Sequence, residues 1–412
     1  MTKVEKRFLE FIRNNCIYFG FAALTVLGLL IRIELFDKST SDYSFFMAKW
    51  INALNEAGGF SGLGKDIGEY NVPYMLFLTI IGKTPYNNLY EIKAFSVLFD
   101  YIGAFAVMAL VSKLLHTKFF SGINLVSFAA VILNPVVFLN SAYWAQCDFI
   151  NVSLCLWSMY FLIRSGKEKD HALAMLFFGL ALSMKLQAIF FLPVIVIYYF
   201  ASQKMSAVNF LIIPLVFFIM DLPAIIAGRG IIETLSIYLN QTDIYKHLTM
   251  DCPSLYAIMP GEYDLFYKAG IYLTLCILGI GACLYIKNSK VTGKSIVLLA
   301  IWCSFVCVYF LPAMHERYPF IVCLLSIVWA FVNRKDLWLA VGINAVVFLS
   351  YVPYLFHVTL IDLKLLSVAN LMFLIYITVQ LFTDRRTAWD DGLFLGETEN
   401  TQAFKKSIKT NK

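Results

Sequence analysis

Charged residues are scarce in this sequence of 412 residues. Only 15% of its residues are Asp, Glu, Lys or Arg, whereas 60% are hydrophobic. Soluble proteins have about 25% charged and about 45 to 50% apolar residues. So few charges exclude an ordinary soluble domain, and the long apolar runs predict an all-α polytopic membrane protein.

Several motifs are also missing. The chain has no CxxC pair and no His/Cys cluster with metal-ligand spacing, so no zinc site is predicted. Cys147 and Cys252 fall in loops where a disulfide between them is possible, but most of the nine cysteines lie in apolar runs and resemble small apolar residues. No basic stretch with interleaved aromatic residues indicates nucleic-acid binding. The apolar run 16–33 has no cleavage site after it, so we expect it to be retained.

Windows of about 17 to 25 apolar residues predict about 12 membrane-spanning helices. The segment 72–82 is too short to cross, and we expect it to lie on the membrane or dip into it. The predicted spans are 15–35, 94–112, 121–140, 149–163, 171–184, 187–201, 208–226, 266–286, 295–312, 319–333, 337–356 and 363–382.

Charge placement predicts the orientation of these spans. With both ends of the chain in the cytoplasm, the cytoplasmic segments hold 21 of the 33 Lys and Arg residues but only 10 of the 27 acids. This asymmetry is typical of the positive-inside rule. The net charge of +6 therefore reflects orientation and not a nucleic-acid partner.

Two predicted outer loops, 36–93 and 227–265, are much longer than the others. Loops longer than about 12 to 15 residues are usually functional or disordered, and the aromatic residues here favour packed structure. Within the first loop, Phe46, Trp50 and Leu54 recur at helical spacing and predict an amphipathic helix over 43–54. Asp42 stands at its start, where the carboxylate is a helix cap, a site residue or both.

Polar residues at the ends of predicted spans suggest a site. Asp148 follows Tyr143, Trp144 and Gln146. These aromatic and amide side chains are suited to stack on a sugar and hydrogen-bond to it, but they are also typical of the aromatic belt at a membrane interface. Lys185, close to Gln187, lies between two apolar runs, where it either pairs with an anion or extends to the membrane surface.

His315, Glu316 and Arg317 stand side by side between two apolar runs. Because charges are costly at the bilayer centre, they must lie at an interface or face a wet cavity. Arg and His are suited to a phosphate, and Glu316 is expected to hold Arg317. A plain interfacial ion cluster is the alternative.

These segments together resemble a known family. They are DYxxF from Asp42, EYNVPY at 69–74, IKAFSVLFD at 92–100, YWAQCD at 143–148, KLQ at 185–187 and HERY at 315–318. In order and spacing, the set resembles the bacterial GT-C-fold glycosyltransferases similar to the second mannosyltransferase of glycosylphosphatidylinositol assembly, over about residues 15–330. The family's usual glycine is Ala145 here, and its Tyr-Pro-Pro is replaced at 70–73.

The resemblance implies a GT-C fold and transfer of a hexose, mannose by analogy, from a polyprenyl-phosphate carrier to a lipid-linked or cell-wall glycan at the outer face of a bacterial plasma membrane. It implies Asp42 as the general base, and Lys185, His315 and Arg317 as ligands of the donor phosphate. The implied sugar- and acceptor-binding residues are Tyr43, Glu69, Tyr70, Trp144, Gln146, Asp148, Gln187, Glu316 and Tyr318. The implied parts are a conserved-type membrane module at 1–230, a variable membrane module at 231–384 and a cytoplasmic tail at 385–412.

No metal or other cofactor is predicted. The chain has no DxD motif, and a donor with one phosphate lacks the pyrophosphate that metals usually bridge. The expected partners are the donor, the acceptor and membrane lipid. A 12-helix secondary transporter or lipid-linked sugar flippase is the alternative function, although no two halves of the sequence align as transporter repeats often do.

Overall fold

The protein is an all-α polytopic membrane protein. The computed structural model describes residues 1–238, 246–288 and 291–383. The predicted tail at 385–412 lies outside the described residues, as does the part of the second long loop at 239–245. The α-helices are α1 Lys3–Ile33, α2 Ala48–Glu56, α3 Val72–Ile81, α4 Asn88–Leu115, α5 Gly122–Ile132, α6 Pro135–Phe138, α7 Asp148–Arg164, α8 Glu168–Met184, α9 Leu192–Ser202, α10 Ile212–Ile226, α11 Ile231–Leu235, α12 Leu255–Ile258, α13 Tyr263–Asn288, α14 Gly293–Phe310, α15 Phe320–Val332, α16 Leu337–Phe356 and α17 Leu363–Thr383.

Seven helical segments of the described chain are long and apolar enough to cross a membrane. They are Lys3–Ile33, Asn88–Leu115, Ala207–Ile226, Tyr263–Lys287, Gly293–Phe310, Arg334–Phe356 and Leu363–Thr383. Counting α5 and the bent segment Pro135–Tyr143 as one broken span gives eight. The other predicted spans coincide with shorter helices, of which α7 and α8 have 17 residues each. The count of about 12 spans stays a prediction.

Local sequence explains where several of these helices begin and bend. The Thr2 hydroxyl and the Glu5 carboxylate form a capping box at the start of α1. The Asn134 side chain accepts from the backbone N–H of Val136 and caps α6, with Pro135 in its first turn. Because a proline cannot donate to the preceding turn, the helix breaks here and bends by 46°.

The fraction of a helix that is buried inside the protein differs between the centre of the helical domain and its edge. In α14, 89% of the apolar window is buried inside the protein, whereas only 17% of that of α1 is buried. Helix α15 is also buried along nearly its whole length. The main apolar core therefore surrounds α14 and α15, and α1 presents most of its apolar surface outward, as expected of a helix that faces lipid.

The first long loop is folded, as its composition predicts. Its segment 72–82 forms the short helix α3, which has ten residues. The predicted amphipathic helix begins with a π-helical turn, Tyr43–Met47, and continues as α2. Because a π-helical turn holds more residues than an α-helical turn, the buried face falls on Met47, Ile51 and Leu54 instead of Phe46 and Trp50.

Two short strands in the described part of the chain join the second long loop to the segment between α14 and α15. Strand β1, Thr249–Met250, pairs in parallel with β2, Met314–His315. The pairing is extended by a hydrogen bond from the backbone N–H of Glu316 to the carbonyl of Met250. This loop therefore fixes the backbone of the His-Glu-Arg triplet.

Candidate functional site

A polar cavity with about 840 Å³ of empty space lies where the two long loops meet the helical domain. Its walls come from distant parts of the chain, including the π-helical turn after Asp42, the loop before α3, the break between α8 and α9, and the turn that carries Arg317. The lining residues are Asp42, Phe46, Met47, Trp50, Glu69, Tyr70, Gln146, Lys185, Leu186, Gln187, Tyr238, His315, Arg317 and Tyr318.

The carboxylate of Asp42 is held by three side chains. Its Oδ2 atom accepts from Trp144 Nε1 at 2.9 Å and from Gln146 Nε2 at 2.7 Å. Its Oδ1 atom accepts from the Tyr354 hydroxyl at 2.7 Å. The side chain makes no capping hydrogen bond to the helix that follows. Asp42 is therefore fixed by tertiary contacts and faces the cavity.

Trp144 and Gln146 reach Asp42 because the chain leaves its helix just before them. The π-helical turn Leu139–Tyr143 ends just before Trp144, and Ala145 has a φ of 62°, in the left-handed region. This conformation favours glycine, the residue usual at this position in the family that the sequence resembles. The reversal at Ala145 allows the side chains on either side of it to bind the same carboxylate oxygen.

Lys185 pairs with an anion, the first of its two expected environments. Residue 185 has extended backbone, which breaks the helix between α8 and the following 3-10 turn. Its ammonium Nζ lies 2.5 Å from Asp148 Oδ1, and both side chains are almost fully buried. Asn140 Nδ2 donates to the other carboxylate oxygen of Asp148 at 2.9 Å. Asp148 thus keeps Lys185 charged and fixed at the cavity wall.

Arg317 lies among acids and stacks on an aromatic ring. Its guanidinium is 3.4 Å from Glu316, 3.9 Å from Asp42 and 4.0 Å from Asp148, and its carbon Cζ lies 5.0 Å from the ring centre of Trp144. Arg317 Nη1 also donates to Gln146 Oε1. Gln146 therefore bridges Asp42 and Arg317, because its amide N–H binds one and its carbonyl binds the other.

The cavity keeps its two cations charged. Burial opposes the charged form of Lys185, but Asp148 outweighs it, and the net effect raises the Lys185 pKa. Burial also opposes the charge of Arg317, whereas Asp148, Glu316 and Asp42 raise its pKa well above the usual range. Burial raises the pKa of Glu69 and, more strongly, that of Tyr70. Lys185 and Arg317 are thus cations at neutral pH, with Tyr70 a neutral neighbour.

An apolar cavity adjoins the polar one. It has about 1010 Å³ of empty space and shares Leu186, Gln187 and Tyr318 with the polar cavity. Its other walls are largely hydrophobic and include Ile189, Phe190, Ile271, Leu311 and Met314. Leu186 follows Lys185 and Tyr318 follows Arg317, so each cation is adjacent in sequence to a residue shared by the two cavities.

The structure brings most of the sequence-predicted residues together, but not all of them face the cavity. Trp144, Asp148 and Glu316 are buried behind its wall, where they contact Asp42, Lys185 and Arg317. Tyr43 does not line the cavity, because the π-helical turn directs Phe46, Met47 and Trp50 towards it. The other predicted site residues line the cavity, namely Asp42, Glu69, Tyr70, Gln146, Lys185, Gln187, His315, Arg317 and Tyr318.

Sequence reasoning missed Tyr354, which donates a hydrogen bond to the Asp42 carboxylate. It lies near the end of α16, in a predicted span rich in aromatic residues, where nothing in the local pattern distinguishes it from a residue at the membrane interface. Asn140 was missed for the same reason, because it falls inside a predicted span. Only the bend after α5 and the packing of α16 show their roles.

Within the described ranges, no group of three or more His, Cys, Asp or Glu side chains is arranged to hold a metal ion. Neither a protein-family model nor a curated protein sequence matches this chain. The assignment of a function therefore depends on the geometry of the cavity.

Proposed function

We propose that this protein is an integral-membrane glycosyltransferase that transfers a hexose from a polyprenyl-phosphate carrier to a glycan or glycolipid acceptor, with inversion at the anomeric carbon. The observation that carries the proposal is the carboxylate of Asp42, held by three side chains and facing a cavity that contains two fixed cations and adjoins an apolar cavity. An amphipathic substrate with a phosphate and a hydrocarbon chain suits this pair of cavities. With the orientation predicted from charge, the reaction takes place at the outer face of the membrane.

The donor is assigned to the cation side of the polar cavity. Lys185 has three N–H donors and Arg317 has five. Within the described part of the chain, Lys185 donates one hydrogen bond, to Asp148, and Arg317 donates one, to Gln146. Lys185 and Arg317 line the polar cavity, as does His315, so we assign the phosphate of the donor to the wall that these three side chains share. The hydrocarbon chain of the carrier then extends into the apolar cavity past Leu186 and Tyr318.

The acceptor is assigned to the side of Asp42, near Glu69 and Tyr70. In the reaction, the acceptor hydroxyl oxygen attacks the anomeric carbon while its proton passes to the Asp42 carboxylate. The bond from the anomeric carbon to the phosphate oxygen breaks, and its electron pair stays on the departing phosphate. General-base catalysis of this kind contributes about 10²- to 10⁴-fold to the rate, and donors aimed at the developing phosphate charge add to it.

The test is transfer from a panel of labelled polyprenyl-phosphate hexoses by the protein in nanodiscs, with acceptor lipids from bacterial membranes. We expect the wild-type protein to form product with one of these sugars. Asp42→Asn should lower the rate of transfer by about 10²- to 10⁴-fold. Asp66→Asn is a matched control, because the Asp66 side chain is mostly exposed and does not line the cavity. Normal turnover by folded Asp42→Asn would contradict the base assignment.

Two further measurements separate this proposal from its alternatives. A donor with one phosphate does not need a bridging metal, so we expect activity to persist in excess chelator, and its loss would overturn the metal-independent mechanism. Movement of intact lipid-linked sugar between leaflets, without glycosidic bond formation, would indicate a flippase instead of a transferase.

A further inference from the structure

We infer that Tyr354 is a positioning residue that sets which oxygen of Asp42 receives the acceptor proton. The inference rests on the proposed function and adds a residue from the C-terminal part of the chain to the site. Tyr354 lies 312 residues from Asp42 in sequence, yet its hydroxyl donates to Asp42 Oδ1 at 2.7 Å. Its ring stacks on Trp144, with ring centres 4.5 Å apart and planes 17° apart.

The two oxygens of the Asp42 carboxylate are occupied to different extents. A carboxylate oxygen has about two lone-pair positions for hydrogen bonds. Oδ2 accepts from both Trp144 and Gln146, and the guanidinium of Arg317 is also near it at 3.9 Å. Oδ1 accepts only from Tyr354 within the described residues. The remaining lone pair is therefore on Oδ1, and the acceptor hydroxyl donates its proton there.

The groups around the Tyr354 hydroxyl determine which acceptor receives its hydrogen bond. The backbone N–H of Asp42 donates to the Tyr354 oxygen at 3.2 Å, and the Ser41 hydroxyl lies 2.6 Å away. Because an ionised carboxylate is a stronger acceptor than a serine hydroxyl, the tyrosine proton is directed to Asp42 and Ser41 donates to the tyrosine. Residues 41, 42 and 354 thus form a ring of hydrogen bonds that prevents rotation of the Asp42 side chain.

Tyr351 provides a matched control on the same helix. Its ring also contacts Trp144, edge to face with ring centres 5.2 Å apart. Its hydroxyl, however, is buried and has no hydrogen-bond partner among the residues that the structure describes. Tyr354→Phe and Tyr351→Phe therefore remove the same atom from two rings that pack on the same tryptophan, and only the first change removes a hydrogen bond to Asp42.

The experiment compares wild type, Asp42→Asn, Tyr354→Phe, Tyr351→Phe and Ser41→Ala in the transfer assay, with thermal unfolding measured for each. We expect Tyr354→Phe to lower kcat by about 10- to 100-fold, the range for a lost hydrogen bond to a charged group, with an unchanged KM for the donor. Tyr351→Phe should remain close to wild type. Ser41→Ala, which leaves the tyrosine in place, should lower kcat by less.

The possible outcomes distinguish this inference from the proposed function. Equal losses in the two Phe variants, or a wild-type kcat in Tyr354→Phe, would overturn the role of Tyr354 while leaving the transferase in place. A raised donor KM with an unchanged kcat would also overturn it, because that change indicates donor binding. Failure of the wild-type protein to transfer any sugar of the panel would overturn the proposed function and this role with it.

Discussion

Two buried pairs of opposite charges in this protein have different surroundings. Arg32 and Asp100, on α1 and α4, are in contact at 2.8 Å and are both fully buried. Lys185 and Asp148 are in contact at 2.5 Å, and Lys185 lines the polar cavity. Both pairs are costly to bury. The comparison indicates that an ion pair alone does not identify a functional site, and that access to a cavity is the feature that distinguishes the second pair.

The partners of Arg32 explain what the first pair does. Arg32 Nη1 donates to the carbonyls of Gly28 and Ile132, at 3.0 and 2.9 Å. Ile132 is the last residue of α5, before the bend at Pro135. The Ser141 hydroxyl, beyond the bend, donates to Asp100 at 2.6 Å. The pair therefore holds α1, α4 and the bent segment together, and this segment continues to Trp144 and Gln146.

The largest effect on stability is expected when Arg32 is replaced. Arg32→Met leaves the Asp100 carboxylate buried without a cation, so the free energy of unfolding should fall by about 3 to 5 kcal/mol. Denaturant or thermal unfolding in detergent measures it. The double variant Arg32→Met/Asp100→Leu should recover part of the loss, since it removes the unpaired charge. Equal stability of Arg32→Met and wild type would contradict the structural role of this pair.

The largest effect on transfer, after that of Asp42, is expected at Arg317. Arg317→Gln removes the guanidinium assigned to the departing phosphate, which should lower kcat by about 10²- to 10³-fold, as the loss of one well-aimed donor does. Arg317→Lys keeps the charge without the planar fork and should lose less. Kinetics with the active donor measure both. A rate loss no larger than that of Arg32→Met, once corrected for folded protein, would remove the distinction between the two pairs.

Replacement of Lys185 should destabilise less than replacement of Arg32. In Lys185→Met, Asp148 keeps its hydrogen bond from Asn140 and has the guanidinium of Arg317 at 4.0 Å. We expect a loss of about 1 to 3 kcal/mol in the free energy of unfolding, measured alongside Arg32→Met. A loss of unfolding free energy as large as that of Arg32→Met would contradict the expectation that contact with the cavity makes the Lys185–Asp148 pair less costly to break.

The smallest effect is expected at Glu69, the other carboxylate that lines the cavity. Burial raises the pKa of Glu69 above its ordinary 4.5, so the folded protein retains a proton that the unfolded chain releases. Its contribution to stability should therefore decrease as pH rises from 4.5 through the raised pKa, and stay constant above it. Glu69→Gln should remove this slope. Unfolding of both proteins across this pH range measures it, and identical slopes would contradict the effect.

Part of the site was predictable because some residues are anomalous in their local setting. Lys185, Arg317 and Asp148 stand out as charges at the ends of apolar runs, and a charge in that setting needs a partner or water. Trp144 was also selected, but as a sugar-binding residue, whereas it is fully buried and donates to Asp42. The sequence indicated that Trp144 belongs to the site but not that its ring points to Asp42, because the orientation of the ring depends on the reversal of the chain at Ala145.

The sequence by itself determined the membrane class and the positions of the long helices, because apolar runs act within a few residues of the chain. Only the tertiary structure decided that Tyr354 reaches Asp42, that Arg32 pairs with Asp100, and that the polar and apolar cavities adjoin. These contacts join residues far apart in the chain. They depend on how the helices pack and bend, which local sequence periodicity does not specify.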